Sequence, residues 1–337
     1  MAVLGATSLS LLDVARRIDP DGKAAAIAEV MNETNRIFDD IPFVEGNLPT
    51  GHKSTLRASL PTPTWRLLNQ GVVRVKTTTN QITTTCGMME NYSDIDKDLA
   101  LLNGNTQAYR MQEDKGIIEG MAQELSTTMI YGDTDVYPEK FVGLAPRYYT
   151  IAGSATSGNI INAAGAAALT SIWLVGWATD KVFGIYPKGS KAGLIQQDLG
   201  EVTALDASHN PFQAYRTHYQ HKVGLVVADH RYVVRICNIN STELQTAGDT
   251  VDSSANIIKM MSIALDLIPE GGTSKLAFYC NRTVMSMLRI KMMNKSNVWI
   301  TKEDLLGAGG IPRPTLSFMG TPIRRVDSIT NAETAVA

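Results

Sequence analysis

The chain has 337 residues, 44% of them hydrophobic and 19% charged, with a formal net charge of −2 at pH 7. That length suits two domains or one domain with extensions, and a charged fraction below the usual ~25% points to a folded protein with much surface hidden in contacts. The near-neutral balance excludes the clustered cationic face of a sequence-independent DNA binder. Three scattered cysteines without a C-x-x-C exclude a disulfide framework and a cysteine-based zinc site, and fit a reducing cytosol.

Residues 1–45 read as an N-terminal arm. Ile27, Val30, Met31, Thr34, Ile37 and Phe38 recur at helical spacing after the Asp19-Pro20-Asp21-Gly22 turn, and the Ile41-Pro42 step ends that helix because the residue before proline avoids the α region. No basic-then-apolar signal region opens the sequence, and no run of about 18 apolar residues is present to span a membrane.

Residues 46–90 differ from everything else in the chain. From Gly46 to Met89 the cations Lys53, Arg57, Arg66, Arg74 and Lys76 stand without one Asp or Glu. Threonine triplets and the breakers Pro49, Gly51, Pro61, Pro63 and Gly71 divide the stretch into short extended runs. Alternation in Leu56–Leu60 and Val73–Thr77 predicts half-buried strands. A hairpin of this length reaches roughly 60 Å at about 3.3 Å per residue. Because an isolated two-stranded ribbon is marginal in water, it needs an acidic surface to lie on, expected on a neighbouring copy.

The charge then inverts. Between Glu90 and Asp135, ten acidic residues face three basic ones, a net of −7. Asp94, Asp96, Asp98, Glu113 and Asp114 are the expected acidic face for the cations of a neighbour. Within this segment, Ile117, Ile118, Met121, Leu125 and Met129 predict a helix over 106–131 stopped by Gly132. Gly116 and Gly120 lie four apart, a spacing that lets a partner backbone approach closely.

Residues 151–168 are Gly-, Ala-, Ser- and Asn-rich and read as a loop. Strands are predicted at Ile172–Val175, Val182–Tyr186, Lys222–Val227 and Tyr232–Ile236, as antiparallel hairpins. Helical periodicity returns over 257–268 before Pro269, followed by a strand at Leu276–Tyr279, a helix capped by Asn281, and a last strand region over 316–327. The class is α+β.

Chemistry-bearing motifs are weak. Gly184–Lys191 carries Gly-Ser-Lys instead of the Gly-Lys-Ser/Thr of a phosphate loop, with Pro187 inside it, and reads as a basic turn. Asp94-x-Asp96-x-Asp98 lacks the sixth-position Gly and twelfth-position Glu of a calcium loop. His218 and His221 fall on opposite faces of a strand, which does not suit one metal. The helical cations Arg289, Lys291 and Lys295 suit a helix C-terminus as well as a nucleic acid. No cofactor and no catalytic residues are assigned, although scattered Ser, His and Asp side chains leave an enzyme open.

Several runs carry a resemblance: Val44–His52, Pro63–Gly71, Phe183–Leu194, Asp229–Ile236 and Gly320–Asp327. They resemble the major capsid proteins of short-tailed double-stranded-DNA bacteriophages, over nearly the whole chain. The resemblance implies the Hong Kong 97-like capsid fold: an N-terminal arm at 1–45, an extended loop at 46–90, a peripheral domain at 91–250 with its spine helix at 106–131, and an axial domain with a C-terminal strand at 251–337. In this family the axial domain usually follows the spine helix directly, so this arrangement looks permuted. The Lys–Asn crosslink of some members, with its catalytic Glu, has no residue-by-residue match here. The implied function is a non-enzymatic shell subunit. It would assemble in the host cytoplasm into pentamers and hexamers around double-stranded DNA, with scaffold, decoration and portal proteins as further partners and no membrane. The alternatives are the shell of a cargo-holding compartment, another repeated virion component, and a soluble bacterial enzyme.

Overall fold

The longest apolar runs of the chain, between 169 and 240, are buried throughout: every residue of Leu169–Trp177 and of Val233–Asn240 is inside. Strands with no solvent face need neighbours on both edges and layers on both sides. The computed structural model, which describes residues 35–101, 106–206, 208–246, 256–269, 274–293, 300–306 and 312–337, shows how those are supplied. In chain order the elements are β1 (Phe43–Glu45), β2 (Gly51–Ser59), β3 (Thr78–Thr85), β4 (Gly87–Asp96), α1 (Lys97–Leu101), α2 (Thr106–Tyr131), β5 (Ile160–Asn162), β6 (Leu169–Trp177), β7 (Val182–Tyr186) and β8 (Leu194–Leu205). They continue as β9 (Pro211–Val227), β10 (Val233–Asn240), α3 (Ser241–Thr246), α4 (Ile257–Leu267), β11 (Lys275–Cys280), α5 (Arg282–Met293), β12 (Ile300–Leu306), β13 (Pro312–Phe318) and β14 (Thr321–Arg325). Of the described residues, one compact unit holds 88–125 and 191–222, and a second holds 35–87, 126–190 and 223–337.

In the first unit, β4, β9 and β8 lie side by side. β8 and β9 run antiparallel from Leu194 opposite His221 to Leu205 opposite Pro211, with an irregularity between Asp198 and Gly200. Gly200 takes a φ of +72° there, a left-handed conformation that suits glycine. The predicted helix over 106–131 is present as α2. Met121 and Leu125 are buried, but Ile118 is exposed, so the apolar stripe is narrower than its spacing implies. A small core of Ile95, Leu99, Ala100 and Tyr109, with Tyr215 against it, fills this unit. A Cβ placed on Gly116 or Gly120 would meet nothing within 4 Å, so no close approach occurs there within the described chain.

The second unit is built on a seven-stranded sheet in the order β12-β13-β14-β11-β6-β10-β5. β6 runs antiparallel to both its neighbours, with Val175 opposite Val233 of β10 and Leu174 opposite Phe278 of β11. β14 joins β11 in parallel and β5 joins β10 in parallel. Trp173, Phe278, Tyr279 and Phe318 are fully buried, and the last-named ring meets Phe278 edge-on at 6.1 Å. The helix starts follow the capping rule: Asn256 accepts from the Lys259 N–H at 3.2 Å, and Asn281 from the Val284 N–H at 2.9 Å. α4 ends at Leu267, ahead of Pro269.

Three expectations change. The apolar runs at 172–175 and 232–236 pair through β6 and β10, which are distant in sequence, and not as local hairpins; β7 instead pairs with β9. An axial domain confined to 251–337 does not match the sheet, because β11 and β14 complete a sheet whose centre is β6. The physical reason is burial on both sides, since β6 has no free edge and cannot stand in a separate domain from β11. Finally, the loop read over 151–168 contains β5, which alternation could not reveal in three residues.

The chain enters this unit through a buried carboxylate. Asp40, with its side chain fully buried, pairs with Lys275 Nζ at 2.6 Å and with Arg324 Nε at 3.2 Å. It also accepts from Tyr279 OH at 2.9 Å, whose oxygen in turn accepts from Trp177 Nε1 at 2.7 Å. A buried charge is tolerated when it is paired and hydrogen-bonded in this way. The helix expected over 27–38 lies mostly outside the described residues; its last part, Arg36–Asp39, is a 3-10 turn with Ile37 buried.

Candidate inter-subunit surface

The hairpin of β2 and β3 belongs to the second unit, paired antiparallel from Gly51 opposite Thr85 to Ser59 opposite Thr78. Its root is tightly built. β1 runs parallel to β7, and Gly46 N–H donates to Tyr186 O at 2.8 Å. The Asn47 side chain brackets Lys53, donating to its carbonyl at 2.8 Å and accepting from its N–H at 2.7 Å. His52 sits edge-on to Phe183 at 5.5 Å, and burial lowers its pKa below the usual 6.5. A Cβ on Gly51 would fall 2.0 Å from the Thr84 carbonyl oxygen, so only glycine fits.

Beyond the root the hairpin loses its ladder. Residues 60–77 form no strand, so the extended run expected at Val73–Thr77 is absent: β3 begins at Thr78. All of 60–77 is exposed, including Trp65 at 104% and Leu68 at 91%, with Leu60, Leu67, Val72, Val73 and Val75 also bare. Proline at 61 and 63 removes ladder donors, which accounts for the loss of pairing. The cations Arg66, Arg74 and Lys76 are exposed in the same segment, and Arg66 Nε donates to the Leu67 carbonyl at 3.4 Å. Lys53 lies on β2; the side chain of Arg57 is outside the described part.

The proposed acidic counterpart is mostly occupied from within. Asp94 on β4 forms a two-pronged pair with Arg216 on β9, both contacts 2.6 Å, and holds that guanidinium's pKa above its ordinary value. Asp96 accepts from the Asp98 N–H at 2.9 Å, opening α1. Asp114 is buried under Tyr219, whose hydroxyl is pushed to a higher pKa first by burial and then by its bond to that carboxylate. Glu113 is half-buried, and Asp98 is exposed. The five residues therefore do not form one open acidic face.

The pairings that sequence reasoning missed join β4, α1 and α2 to β8 and β9. Arg110 donates to Asp198 at 2.7 Å and to Thr217 at 3.0 Å, holding the Asp198 pKa below its usual range, and Lys97 pairs with Glu201 at 2.7 Å. Tyr92 stacks on His218 at 4.5 Å, and His218 lies 3.3 Å from Glu90. Gln220 also donates to Glu90, and this bond is the main cause of its lowered pKa. β8 itself went unread because Leu-Ile-Gln-Gln-Asp-Leu-Gly-Glu-Val-Thr-Ala-Leu breaks strict alternation at the Gly200 bulge. Of the other weighed residues, Lys291 on α5 is buried and not on an open basic face. Gly184–Lys191 ends β7 in a turn in which Gly189 N–H donates to Glu45 at 2.8 Å, and a strand follows, not a phosphate-binding helix.

A helix-flanked mixed sheet, a second unit that holds most of a 26-residue helix, and a hairpin with a bare apolar tip define the class: a capsid shell protein of the Hong Kong 97-like fold. The chain belongs to the major capsid protein GP7 family, matched over residues 19–337. It is similar to a solved structure from bacteriophage Epsilon15, 35% identical, covering 100% of this chain and 99% of that one with a TM-score of 0.76. A bacteriophage JBD30 capsid chain aligns at 8% identity over 89% of this chain and 93% of its own, with a TM-score of 0.49. The SrpI encapsulin of Synechococcus elongatus aligns at 12% identity over 68% and 96%, with a TM-score of 0.44. Curated proteins offer no match. The protein is a subunit of a phage capsid shell.

Proposed function

We propose that this shell subunit assembles into pentameric and hexameric capsomers by laying the 60–77 tip of its hairpin on a neighbouring copy, with double-stranded DNA enclosed. The observation that supports this is the bare tip: seven large apolar side chains, Trp65 among them, have no cover among the described residues. Exposed apolar patches of this kind mark interaction surfaces, and tryptophan is enriched among residues that carry binding energy. Lys53, Arg57, Arg66, Arg74 and Lys76 set register and approach more than they add affinity. Of the acidic residues Asp94, Asp96, Asp98, Glu113 and Asp114, the exposed Asp98 is the best placed to receive them.

In this reading the seven-stranded sheet serves as the axial domain, and the unit with most of α2, the spine helix, as the peripheral domain, with 1–45 as the arm and 46–90 as the extended loop. The subunit works by association and not by catalysis. It assembles in the host cytoplasm, where scaffold, decoration and portal proteins are the expected companions.

The test is a Trp65→Ala, Leu68→Ala double variant, with Arg57→Glu, Arg66→Glu as the charge counterpart. Both should leave the subunit's thermal unfolding unchanged and sharply lower the yield of closed particles seen by electron microscopy. Normal particle yield from both variants, at low salt where exposed charges are least screened, would refute the docking role of the tip.

A further inference from the structure

β10 contains a side chain that its neighbours do not explain. Arg235 lies in the run Val233-Val234-Arg235-Ile236-Cys237 with its side chain 5% exposed. A charge in a fully buried strand requires a partner, and that partner comes from near the end of the sequence. Glu333, 4% exposed, accepts from Arg235 Nη2 at 2.8 Å and from Tyr131 OH at 2.6 Å. It also accepts from the Ser171 hydroxyl, which itself accepts from Arg235 Nε at 3.2 Å. The Arg235 Nη1 donates to the Tyr148 carbonyl at 2.8 Å, and its guanidinium lies 5.0 Å over the Trp173 ring. One carboxylate thus joins the last residue of α2, a strand residue of β6 and a strand residue of β10.

The segment that carries Glu333 is held mainly by hydrogen bonds: Asn331 accepts from the Asn281 side chain and donates to the Thr283 hydroxyl, and the Ala337 carbonyl accepts from the Ile151 N–H and the Thr150 hydroxyl, each at 3.0 Å. Asn238, at φ +56° where β10 slips register against β6, clamps the Val336 backbone: it donates to the carbonyl and accepts from the N–H, each at 2.9 Å. Glu333 N–H donates to Leu169 O at 3.0 Å, and Thr330 N–H donates to Tyr131 OH at 3.1 Å. Upstream, the hydroxyls of Ser126 on α2 and Ser328 meet at 2.8 Å. Along 328–336 the buried side chains are Ser328, Ile329, Glu333 and Val336. The segment belongs to no strand ladder, and a cavity of about 400 Å³ lined by Tyr131, Tyr149, Arg235 and the segment itself lies against it.

We propose that residues 328–336 form a latch, closed by the Glu333–Arg235 pair, that opens as a local unit and determines whether the C-terminal turn of α2 is fixed to the central sheet. A segment held by hydrogen bonds, with Ile329 and Val336 as its buried apolar side chains, has the few apolar contacts that mark a unit opening below the global unfolding free energy. The buried pair keeps it closed, because opening by loss of one partner leaves the other charge buried and alone. Tyr131 makes the coupling direct: its hydroxyl bridges Glu333 and the Thr330 backbone, so α2's last residue is released with the latch.

Hydrogen exchange on the full-length protein tests this, read on peptides covering 126–131, 328–336, 257–267 and 275–280. Glu333→Gln should raise exchange about tenfold or more in 126–131 and 328–336, while α4 and β11 keep their protection. The paired change Arg235→Met, Glu333→Leu should restore protection over 328–336, since no buried charge remains uncompensated. In the unaltered protein, 328–336 should already exchange faster than β6. A uniform rise across all four regions, or no rise at all, would overturn the latch. Should Glu333→Gln fail to fold, equal exchange of 328–336 and β6 in the unaltered protein would do the same.

Discussion

Arg216 on β9 grips Asp94 on β4 through two parallel contacts of 2.6 Å, and the same guanidinium lies 5.5 Å over the Tyr92 ring. That single side chain takes up the carboxylate that the charge pattern assigns to a neighbouring subunit. Both partners are about one-third exposed, so a lone Asp94 can rehydrate. Arg216→Met should cost about 1 kcal/mol of subunit stability, as should Asp94→Asn, with the double variant little worse than either. A double-mutant cycle by denaturant unfolding measures this. An Asp94→Asn that spares subunit stability and blocks assembly would return Asp94 to the intermolecular role.

Acid should weaken the subunit in two stages. Burial lowers the pKa of His52 and His221 below 6.5, so the folded state disfavours their protonation. Their contribution is complete above pH 6.5 and is lost as pH falls from there through the lowered values. Asp198 and Glu90 are depressed from 3.8 and 4.5 by their hydrogen bonds, so their contribution is present above those values and lost below them. Melting temperature followed from about pH 8 to pH 3 should fall in both windows. His221→Gln should flatten the upper one, and Asp198→Asn the lower.

The hairpin root should be far less tolerant than its tip. Gly51→Ala places a methyl 2.0 Å from the Thr84 carbonyl oxygen, whereas a Cβ at Gly71 meets nothing within 4 Å. The first change should cost about 3 kcal/mol or abolish the β2–β3 pairing, and the second should stay within about 0.5 kcal/mol. Thermal unfolding of the two variants side by side checks the contrast.

Limited trypsin digestion should report the state of the tip. Arg66, Arg74 and Lys76 lie in an exposed segment without ladder bonds, which favours cleavage of the free subunit. Assembled shells should resist at these bonds at least about tenfold. Equal cleavage rates in subunit and shell would show that the tip stays bare after assembly.

Elements whose information is local were legible. The helix over 106–131 follows from 3.6-residue periodicity closed by Gly132, and the helix after Asn281 follows from a side chain that caps three residues ahead. The acid-free stretch at 46–89 announced a segment that the rest of the subunit does not cover, and its tip is bare. Pairing was less legible. An alternating or apolar run states that a strand exists but not which edge it meets, so β6 could not be joined to β10 and β11 by inspection. β8 was hidden by one bulge residue.

The sequence by itself determined the secondary-structure content of the long periodic segments, the charge asymmetry between 46–89 and 90–135, and the resemblance to capsid proteins, because each is written in neighbouring residues. Only the tertiary structure decided which charges remain available. Asp94 meets Arg216 across 122 positions and Glu333 meets Arg235 across 98, and a charge is spent or free according to what the fold brings within hydrogen-bond reach. Opposite signs in sequence are no guide to that, since Coulomb attraction acts through space and its strength depends on the burial that folding creates.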